Sequence, residues 1–335
     1  MKIEQNYSLQ RFNTFHIAVK TRWFREYENE TELMQILNDD SFRKLSFLHI
    51  GCGSNLLFTN DFHGIVLHSA IKGITLIEES DSDVLVRIGA AEIWDDVVAY
   101  TVRKGWGGVE NLSLIPGETG AAAVQNIGAY GKEIKDVIEN VEAIGTLDCK
   151  KRVFSNSDCA YDYRSSIFKN DPTHIITYVT LRLQKYPELH LEYGNLKRIG
   201  NANESVTVRQ VRDTVIAIRQ KKLPDPDEFG NAGSFFLNPV VTPERLAQLI
   251  KDYPSIPHYP AKNGYVKLSA GWLVEQCGLK GKRFGSVGVY EHHALIIVNY
   301  GAATGSEIAQ FARHISDTVH HLFDVQLIPE VKYVP

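Results

Sequence analysis

Helix signals occur in six segments of the chain, as apolar residues on one face or as capping and charged residues at the ends. In residues 208–221, apolar side chains recur every three or four positions after Thr207, a residue type that caps helices. Acidic residues open residues 91–104 and basic residues close it before Gly105. The predicted helices are residues 31–38, with Thr31 as the cap, and residues 91–104, 208–221, 243–251, 270–277 and 307–323.

Short apolar runs between the helices predict strands. One run, residues 47–50, enters a glycine turn at residues 51–55, and a second run, residues 56–59, leaves it. Further strands are predicted within residues 74–90, 137–144, 175–183, 295–299 and 325–334. Strands and helices mix without strict alternation, and no Gly-x-Gly-x-x-Gly links a strand to a helix. The pattern therefore predicts an α+β protein without a Rossmann dinucleotide site.

Composition and charge are those of an ordinary globular protein. The 335 residues are enough for two or three domains, and a net charge of -4 indicates no nucleic acid partner. Apolar runs are shorter than a membrane span and the N-terminus lacks a signal-peptide core, so a cytoplasmic protein without membrane insertion is predicted. The four cysteines form no CxxC pair, which predicts reduced thiols and no metal site.

Residues 116–131 are rich in small side chains, with four glycines, and carry the neighbouring amides of Gln125 and Asn126. Glycines allow positive φ and close approach of a ligand, and exposed backbone N–H groups are what proteins use to hold phosphates. We interpret the segment as an irregular loop that cradles a phosphate-bearing ligand, with an ordinary turn-rich connection as the alternative. The glycine turn at residues 51–55 is a second and weaker candidate for a phosphate contact.

Three further motifs hold residues that could carry chemistry, and each has an ordinary structural explanation. Arg164 lies among aromatic residues and could bind a carboxylate or phosphate, although this motif alone favours surface packing on tyrosine. Ser234 precedes two phenylalanines, but no catalytic triad accompanies it, so a capping or core serine is the usual explanation. Glu330 interrupts an apolar terminal strand, where it is a buried carboxylate if it points inward and a surface residue if it points outward.

Together these motifs resemble those of the UDP-N-acetylenolpyruvoylglucosamine reductase family, flavoenzymes that make UDP-N-acetylmuramate for peptidoglycan. The resemblance runs in order along essentially the whole chain. Its carriers are Asn13-Thr14-Phe15, Gly51-Cys52-Gly53-Ser54-Asn55, Leu114-Ile115-Pro116-Gly117, Gln125-Asn126-Ile127-Gly128-Ala129-Tyr130-Gly131, Tyr163-Arg164, Asn231 to Phe236 and Pro329-Glu330-Val331.

The resemblance implies a fold of the p-cresol methylhydroxylase and vanillyl-alcohol oxidase (PCMH) type, in which two lobes hold FAD and a further domain binds the sugar nucleotide. The implied boundaries are residues 16–188 for the FAD-binding domain, with lobes at about 1–70 and 71–218, and residues 219–335 for the substrate-binding domain. The residues that resemble FAD-binding ones are Gly51, Gly53, Ser54, Asn55, Pro116, Gly117, Gly120, Gln125, Asn126 and Gly128. Those that resemble substrate-binding ones are Tyr193, Lys222, Asn238, Tyr259 and Lys280, and Tyr193 implies the subtype whose tyrosine loop closes over the substrate.

The same resemblance implies a reaction in two halves. NADPH reduces non-covalently bound FAD, flavin N5 then passes hydride to the enolpyruvyl β-carbon, and Ser234 protonates the α-carbon. Arg164 and Glu330 stabilise the enolate that forms between these steps. Two departures from the family pattern, Cys52 in place of glycine and Ala123 in place of proline, could lower the affinity for FAD.

Two other functions remain open at this point. An oxidase on the same FAD fold would reduce oxygen and often carries a covalent link to flavin. A nucleotide-binding protein without catalysis would keep the cradle, but the presence of Ser234, Arg164 and Glu330 argues against it. The expected partners are the UDP-sugar and NADPH, and the expected state is a monomer.

Overall fold

The computed structural model describes residues 3–192, 196–200 and 206–335. These residues form two compact units. Unit 1 consists of the described residues within Met1–Tyr7, Thr21–Cys52 and His63–Arg219. Unit 2 consists of Ser8–Lys20, Gly53–Phe62 and Gln220–Pro335.

The described residues form a mixture of helices and strands. The α-helices are α1 (Glu30–Asn38), α2 (Asp40–Arg43), α3 (Trp94–Arg103), α4 (Thr119–Gln125), α5 (Ile167–Asn170), α6 (Lys197–Gly200), α7 (Val208–Lys222), α8 (Pro243–Asp252), α9 (Ala270–Gln276) and α10 (Gly305–Phe323). The strands are β1 (Glu4–Ser8), β2 (Lys20–Tyr27), β3 (Phe47–Ile50), β4 (Leu56–Phe58), β5 (Phe62–Ser69), β6 (Ile74–Glu79), β7 (Asp83–Gly89), β8 (Gly128–Ala129), β9 (Lys132–Glu133), β10 (Ile138–Gly145), β11 (Lys151–Ser155), β12 (His174–Gln184), β13 (Val240–Val241), β14 (His258–Pro260), β15 (Val266–Leu268), β16 (Arg283–Phe284), β17 (Val287–Val289), β18 (Ile297–Asn299) and β19 (Lys332–Val334). None of the helices formed by these residues is both long and apolar enough to cross a bilayer.

The helices predicted at residues 208–221, 243–251 and 307–323 are confirmed as α7, α8 and α10. The predicted cap of α7 is present, because the hydroxyl of Thr207 accepts a hydrogen bond from the Gln210 N–H at 3.2 Å. A hydroxyl in this position satisfies a backbone donor that has no partner inside the helix. Spacing and capping residues together therefore located these helices correctly.

The predicted cap of α1 is wrong. The helix begins at Glu30, and the side chain of Asn29 accepts a hydrogen bond from the Glu32 N–H at 2.9 Å. Thr31 is consequently the second residue of the helix rather than its cap. Asparagine is at least as good a cap as threonine, so the two residues could not be separated by type alone.

Two other predicted elements are shorter in the structure. Helix α3 begins at Trp94 because the N–H of Ala91 donates to the carbonyl of Ile71 at 3.0 Å, which holds that backbone outside the helix. The last strand is limited to Lys332–Val334, although residues 325–334 were predicted. Pro329 lies in the part of the predicted strand that does not form, and it has no N–H with which to continue the hydrogen bonding between strands.

Unit 1 contains two larger sheets and confirms the α+β prediction. One has the strand order β1-β2-β5-β3, in which β3 and β5 run parallel. The other has the order β11-β10-β12-β7-β6 and is antiparallel at every pairing. Helices α3 and α4 contribute to the hydrophobic core of this second sheet. At its centre Trp94 is fully buried, and its Nε1–H donates to the carbonyl of Leu112 at 2.9 Å.

Residues 116–131 are not the irregular loop that the sequence predicted. They contain helix α4, followed by the hairpin of β8 and β9. Three alanines favour the helix, since alanine has the highest helix propensity of all residues. Tyr130 and Gly131 both have positive φ, at 49° and 83°, which is typical of the two central residues of a type I′ hairpin turn.

Unit 2 consists of α8, α9, α10 and several short sheets. Their strand orders are β13-β15-β14, β16-β17-β18 and β19-β4. Residues 8–20 and 53–62 belong to this unit, although they precede residue 70 and were expected in the first lobe. The reason is a long-range pairing, since Leu56–Phe58 lies parallel to Lys332–Val334.

Gly53 marks a very close backbone approach in unit 2. Its φ is 72°, and a Cβ added there would lie 1.9 Å from the carbonyl oxygen of Phe12. The N–H of Leu56 donates to the Gly53 carbonyl at 3.3 Å, so the turn is closed on its own backbone as well. Only glycine satisfies both the dihedral angle and the available space.

We expect Gly53→Ala to destabilise the protein more than Gly264→Ala does. Gly264 has a similar φ of 78° but open space around its Cβ position, so its replacement adds only backbone strain of about 1 kcal/mol. Gly53→Ala adds the steric clash with Phe12, which should cost roughly 1–3 kcal/mol more. Chemical denaturation of both variants measures the difference, and equal costs would contradict the close approach.

Candidate functional site

The two glycine-rich segments predicted to cradle a phosphate meet in unit 1. A Cβ added at Gly51 would lie 2.7 Å from Oε2 of Glu118 and 3.6 Å from the Cβ of Ala121. Glu118 and Ala121 belong to the start of α4, at the centre of the other segment. The turn after β3 and the first turn of α4 are therefore neighbours, although 67 positions separate Gly51 from Glu118 (118 − 51).

Helix α4 is fixed to the end of β7 by its backbone. The N–H of Gly120 donates to the carbonyl of Ala90 at 2.9 Å, and a Cβ on Gly120 would lie 2.9 Å from the Cβ of Ala90. On the preceding side, Gly117 has a φ of 134° and its carbonyl accepts from the Trp94 N–H at 3.0 Å. These two glycines are required by packing and turn geometry, whatever ligand the segment binds.

A partly buried cluster of ionisable side chains lies beside the same turn. Nε2 of His68 is 3.2 Å from Glu118 and its Nδ1 is 2.8 Å from Glu26. Burial disfavours the charged imidazole, but the hydrogen bonds and charges of the two carboxylates outweigh it and raise the pKa of His68. Nearby, burial and the His68 charge lower the pKa of His49 to about 3, and its Nε2 is 2.8 Å from the Tyr27 hydroxyl. The Glu118 carboxylate beside Gly51 is therefore paired with a histidine whose protonated form the two carboxylates favour.

Asn126 ends α4 in the left-handed conformation, with a φ of 46°. Its side chain is fully buried, and its amide donates to the carbonyl of Asp162 at 2.8 Å and to the carboxylate of Glu133 at 3.2 Å. Its amide oxygen accepts from the Lys135 N–H at 3.3 Å. The Asn126 amide, one of those that resemble FAD-binding groups, thus has hydrogen-bond partners inside unit 1, and the neighbouring Gln125 is half-buried.

Arg164 lies over the end of the same segment. It has a φ of 50°, and its guanidinium donates to the carbonyls of Asn126, at 3.1 Å, and Gly128. Its ring neighbour Tyr163 is 5.2 Å away, so stacking on tyrosine accounts for only part of its surroundings. The side chain is 17% exposed, which leaves the charged group near the surface of unit 1.

Ser234 and Glu330 lie on neighbouring backbone segments of unit 2. The N–H of Glu330 donates a hydrogen bond to the carbonyl of Phe235, the residue after Ser234, at 2.8 Å. Ser234 itself bridges Ile296 on the other side. Both residues are half-buried, and no residue that the structure describes hydrogen-bonds the Ser234 hydroxyl. This hydroxyl differs from a capping serine, whose oxygen accepts from a backbone N–H.

Asn55 connects the glycine turn to Glu330 within unit 2. Its side-chain amide donates to the Glu330 carbonyl at 3.2 Å, and its own carbonyl accepts from the Lys332 N–H at 3.0 Å. Ser54 is half-buried in the same turn. The residues predicted to hold the cofactor and one predicted to carry chemistry are thus linked directly.

The predicted substrate-binding residues fall at separate points, and Tyr193 lies outside the described residues. Lys222 is the exposed last residue of α7, and Tyr259 is exposed on β14. Asn238 is half-buried, and its side-chain oxygen accepts from the Ala270 N–H at the start of α9, at 3.0 Å. The Nζ of Lys280 is 2.9 Å from the carboxylate of Glu275, so this cation already has a counter-charge.

Sequence reasoning missed the charged residues behind the predicted site. Glu133 contacts Arg164, Glu118 contacts His68, and neither carries a motif signal of its own. Glu133 follows the hairpin turn as an ordinary strand residue, and Glu118 is the only charged residue between Pro116 and Gly131. That isolated charge in a segment of small residues is the one signal that could have found Glu118.

Known proteins resemble this chain over its whole length. A UDP-N-acetylenolpyruvoylglucosamine reductase of Porphyromonas gingivalis is 49% identical over 338 aligned positions, covering 100% of both chains. One of Bacteroides fragilis is 45% identical and covers 99% of this chain and 100% of the relative. The chain belongs to the UDP-N-acetylenolpyruvoylglucosamine reductase family.

Two family models and one solved structure agree with this membership. Residues 225–334 match the model described as the UDP-N-acetylenolpyruvoylglucosamine reductase C-terminal domain, and residues 23–148 match an FAD binding domain. The reductase structure from Thermus caldophilus has the same fold, with a TM-score of 0.72, 23% identity and full coverage of both chains. The predicted FAD cofactor and the predicted combination of an FAD-binding fold with a C-terminal domain are confirmed.

The two family models divide the predicted site residues of this reductase-family chain. Gly51, Gly117 and Asn126 lie within the FAD binding match, and Ser234 and Glu330 lie within the C-terminal match. The residues outside both matches are Arg164, Tyr193 and Lys222. The individual roles of all these residues remain predictions.

We expect the stabilisation that His68 provides to fade at high pH. Its pKa is raised in the folded state, so the contribution is fully present below the unfolded pKa of about 6.5 and is lost as pH rises through the folded value. The difference in unfolding midpoint between the parent and His68→Gln, measured from pH 5 to 9, should therefore shrink with rising pH.

The matched control is His63→Gln, an exposed histidine on the same strand, β5. Its difference from the parent should be small, because the side chain is exposed. A His68 difference that grows toward high pH would contradict a charged His68 between the two carboxylates.

Proposed function

We propose that this protein catalyses the NADPH-dependent reduction of UDP-N-acetylenolpyruvoylglucosamine to UDP-N-acetylmuramate in peptidoglycan precursor synthesis. The names of its full-length relatives supply the reaction. The structural observation that supports it is the pairing of the Ser234 and Glu330 segments, which leaves a half-buried hydroxyl beside the carboxylate-bearing segment that precedes β19. Arg164 supplies the cation.

The residues of the two glycine segments fit FAD. Gly51 leaves partly exposed backbone without a side chain and the first turn of α4 lies next to it, whereas Gly53 is buried against Phe12 and shapes the turn. When bound, FAD accepts hydride from NADPH and delivers it to the enolpyruvyl group. We assign both Gln125 and Asn126 to the cofactor segment, and Asn126 also supports the loop, because its amide donates to Asp162 and Glu133.

Ser234 is the proton donor in this proposal. Its hydroxyl has no hydrogen-bond partner among the described residues, so its proton is available to a bound substrate. Because Ser234 is half-buried, fewer water molecules can compete with it to protonate the developing carbanion. A hydroxyl is a weak acid, but an enolate carbon is a strong base when water is excluded.

Arg164 and Glu330 act on the carboxylate side of the substrate. A guanidinium has five N–H donors, and the backbone carbonyls of Asn126 and Gly128 accept from two of its nitrogens. The carbonyls hold the group in place, and a fixed positive charge stabilises a developing enolate without reorganisation. Hydrogen bonds with Phe235 and Asn55 hold the Glu330 backbone, which fixes the position from which its side chain extends.

The sugar nucleotide is assigned to Tyr193, Lys222, Asn238, Tyr259 and Lys280. Lys222 is an exposed cation suited to a diphosphate. Lys280 would exchange Glu275 for that ligand, and the amide N–H groups of Asn238 can donate while its oxygen remains on Ala270. Tyr193 as the closing residue of a loop, a monomeric state and a cytoplasmic location complete the proposal, and four cysteines without a disulfide bond among them fit a reducing compartment.

We expect Ser234→Ala to separate the two half-reactions. Reduction of the flavin by NADPH should stay within about twofold of the parent, because Ser234 does not take part in it. Reoxidation by UDP-N-acetylenolpyruvoylglucosamine should slow by roughly 10²–10⁴, which is the usual contribution of a positioned acid. Stopped-flow absorbance of the flavin measures both steps, and rapid reoxidation of the variant would exclude Ser234 as the donor.

We expect Arg164→Lys to slow the same reoxidation step by at least tenfold. An ammonium is a point charge that cannot hold two carbonyls and a carboxylate at once, as the planar guanidinium does. Stopped-flow measurement with the parent enzyme as reference tests this, and near-parental reoxidation would reject the carboxylate role. Hydrogen peroxide formed from NADPH under air, without sugar nucleotide, would instead favour the oxidase function.

A further inference from the structure

The guanidinium of Arg164 has a fixed backbone support and an anionic neighbour. Two carbonyls of the segment after α4 accept its hydrogen bonds. The Oε1 of Glu133 lies 3.7 Å from Arg164 Nη1, close enough for an ion pair but too far for a hydrogen bond. Glu133 therefore acts on the guanidinium through charge without occupying one of its donors.

The carboxylate of Glu133 is itself held on several sides. Its Oε2 is 2.7 Å from the Nζ of Lys135 and accepts from the Asn126 amide at 3.2 Å. Its side chain also accepts from the N–H of Asp136, in a capping box that begins the following short helix. The side chain is 24% exposed. A carboxylate with this many partners has little conformational freedom, so its negative charge stays at a fixed position beside Arg164.

Gly128 shows how closely the two side chains approach. A Cβ added there would lie 2.9 Å from Arg164 Nη1 and 2.9 Å from the Cγ of Glu133. The φ of Gly128 is not in the left-handed region, so space and not backbone angle requires glycine at this position. The two side chains pass over Gly128, and any larger residue would separate them.

We propose that Glu133 is a positioning residue for Arg164, an inference that rests on the proposed function. It orients the guanidinium toward the substrate in two ways. First, its charge attracts Arg164 Nη1 directly. Second, it accepts a hydrogen bond from the Asn126 side chain, and the carbonyl of Asn126 accepts a hydrogen bond from Arg164. Without Glu133, the guanidinium keeps its charge and its two backbone acceptors but loses the anionic contact that helps to orient it.

The first test compares Glu133→Gln with the parent holoenzyme. The limiting rate of flavin reoxidation by UDP-N-acetylenolpyruvoylglucosamine should fall roughly 10- to 100-fold, since a small displacement of a charge-stabilising group has that effect. The half-saturating substrate concentration should change less than threefold, because charge on the carboxylate grows in the transition state. Flavin reduction by NADPH should stay within twofold.

The matched control is Glu139→Gln in the same unit. Glu139 also pairs with an arginine, at 2.9 Å from Arg182, but both side chains are more exposed and lie outside the proposed site. Its reoxidation rate should equal that of the parent. A rate for Glu133→Gln that is unchanged or faster would overturn the inference.

A double-variant cycle decides whether Glu133 acts through Arg164. In an Arg164→Met background, Glu133→Gln should slow reoxidation by less than twofold further, because the group that it positions is absent. An equal slowing in both backgrounds would show that Glu133 acts independently, and the inference would fail.

A readout without turnover uses nitrogen-detected NMR of the arginine side chains. The guanidinium signal of Arg164, assigned by its loss in Arg164→Lys, should broaden or coalesce in Glu133→Gln as rotation becomes freer. An unchanged signal would contradict positioning. If the parent enzyme is not reoxidised by the sugar nucleotide, the proposed function fails, while this signal still tests the contact of Glu133 with Arg164.

Discussion

The backbone of α4 packs directly on the end of β7, and the arrangement of the site in unit 1 depends on that contact. It exists because Gly120 has no side chain where Ala90 approaches. From it follow the place of Glu118 beside Gly51 at one end of the helix and the left-handed turn of Asn126 at the other. A bulkier residue at this contact would displace both ends together.

Charge near the cofactor segments is balanced locally in unit 1. At the start of α4, His68 faces Glu118, and beyond its end Arg164 and Lys135 face Glu133. Buried or half-buried charges need such partners, because desolvation otherwise disfavours the charged form. The same pairing gives each ionic group a fixed direction, which a site that stabilises developing negative charge requires.

Much of the fold was predictable because it rests on local signals. The hydroxyl cap of α7 and the apolar face of that helix both come from residues close together in the sequence, and the structure confirms both. The helix inside residues 116–131 was missed, since glycines at both ends suggested a loop while the three alanines between them favour a helix. The terminal strand was overestimated because an apolar run alone does not show which residues find a pairing partner.

The sequence by itself determined the family, the FAD cofactor and the α+β class, because short motifs of glycine, serine and arginine are readable without contacts. Only the tertiary structure decided how deeply each polar group is buried. Asn126 and Gln125 are adjacent amides of the same chemistry, yet one is buried among Asp162 and Glu133 and the other is half-buried. Burial and hydrogen-bond partners depend on residues that are distant in the chain, and a local sequence pattern does not show which distant residues come into contact.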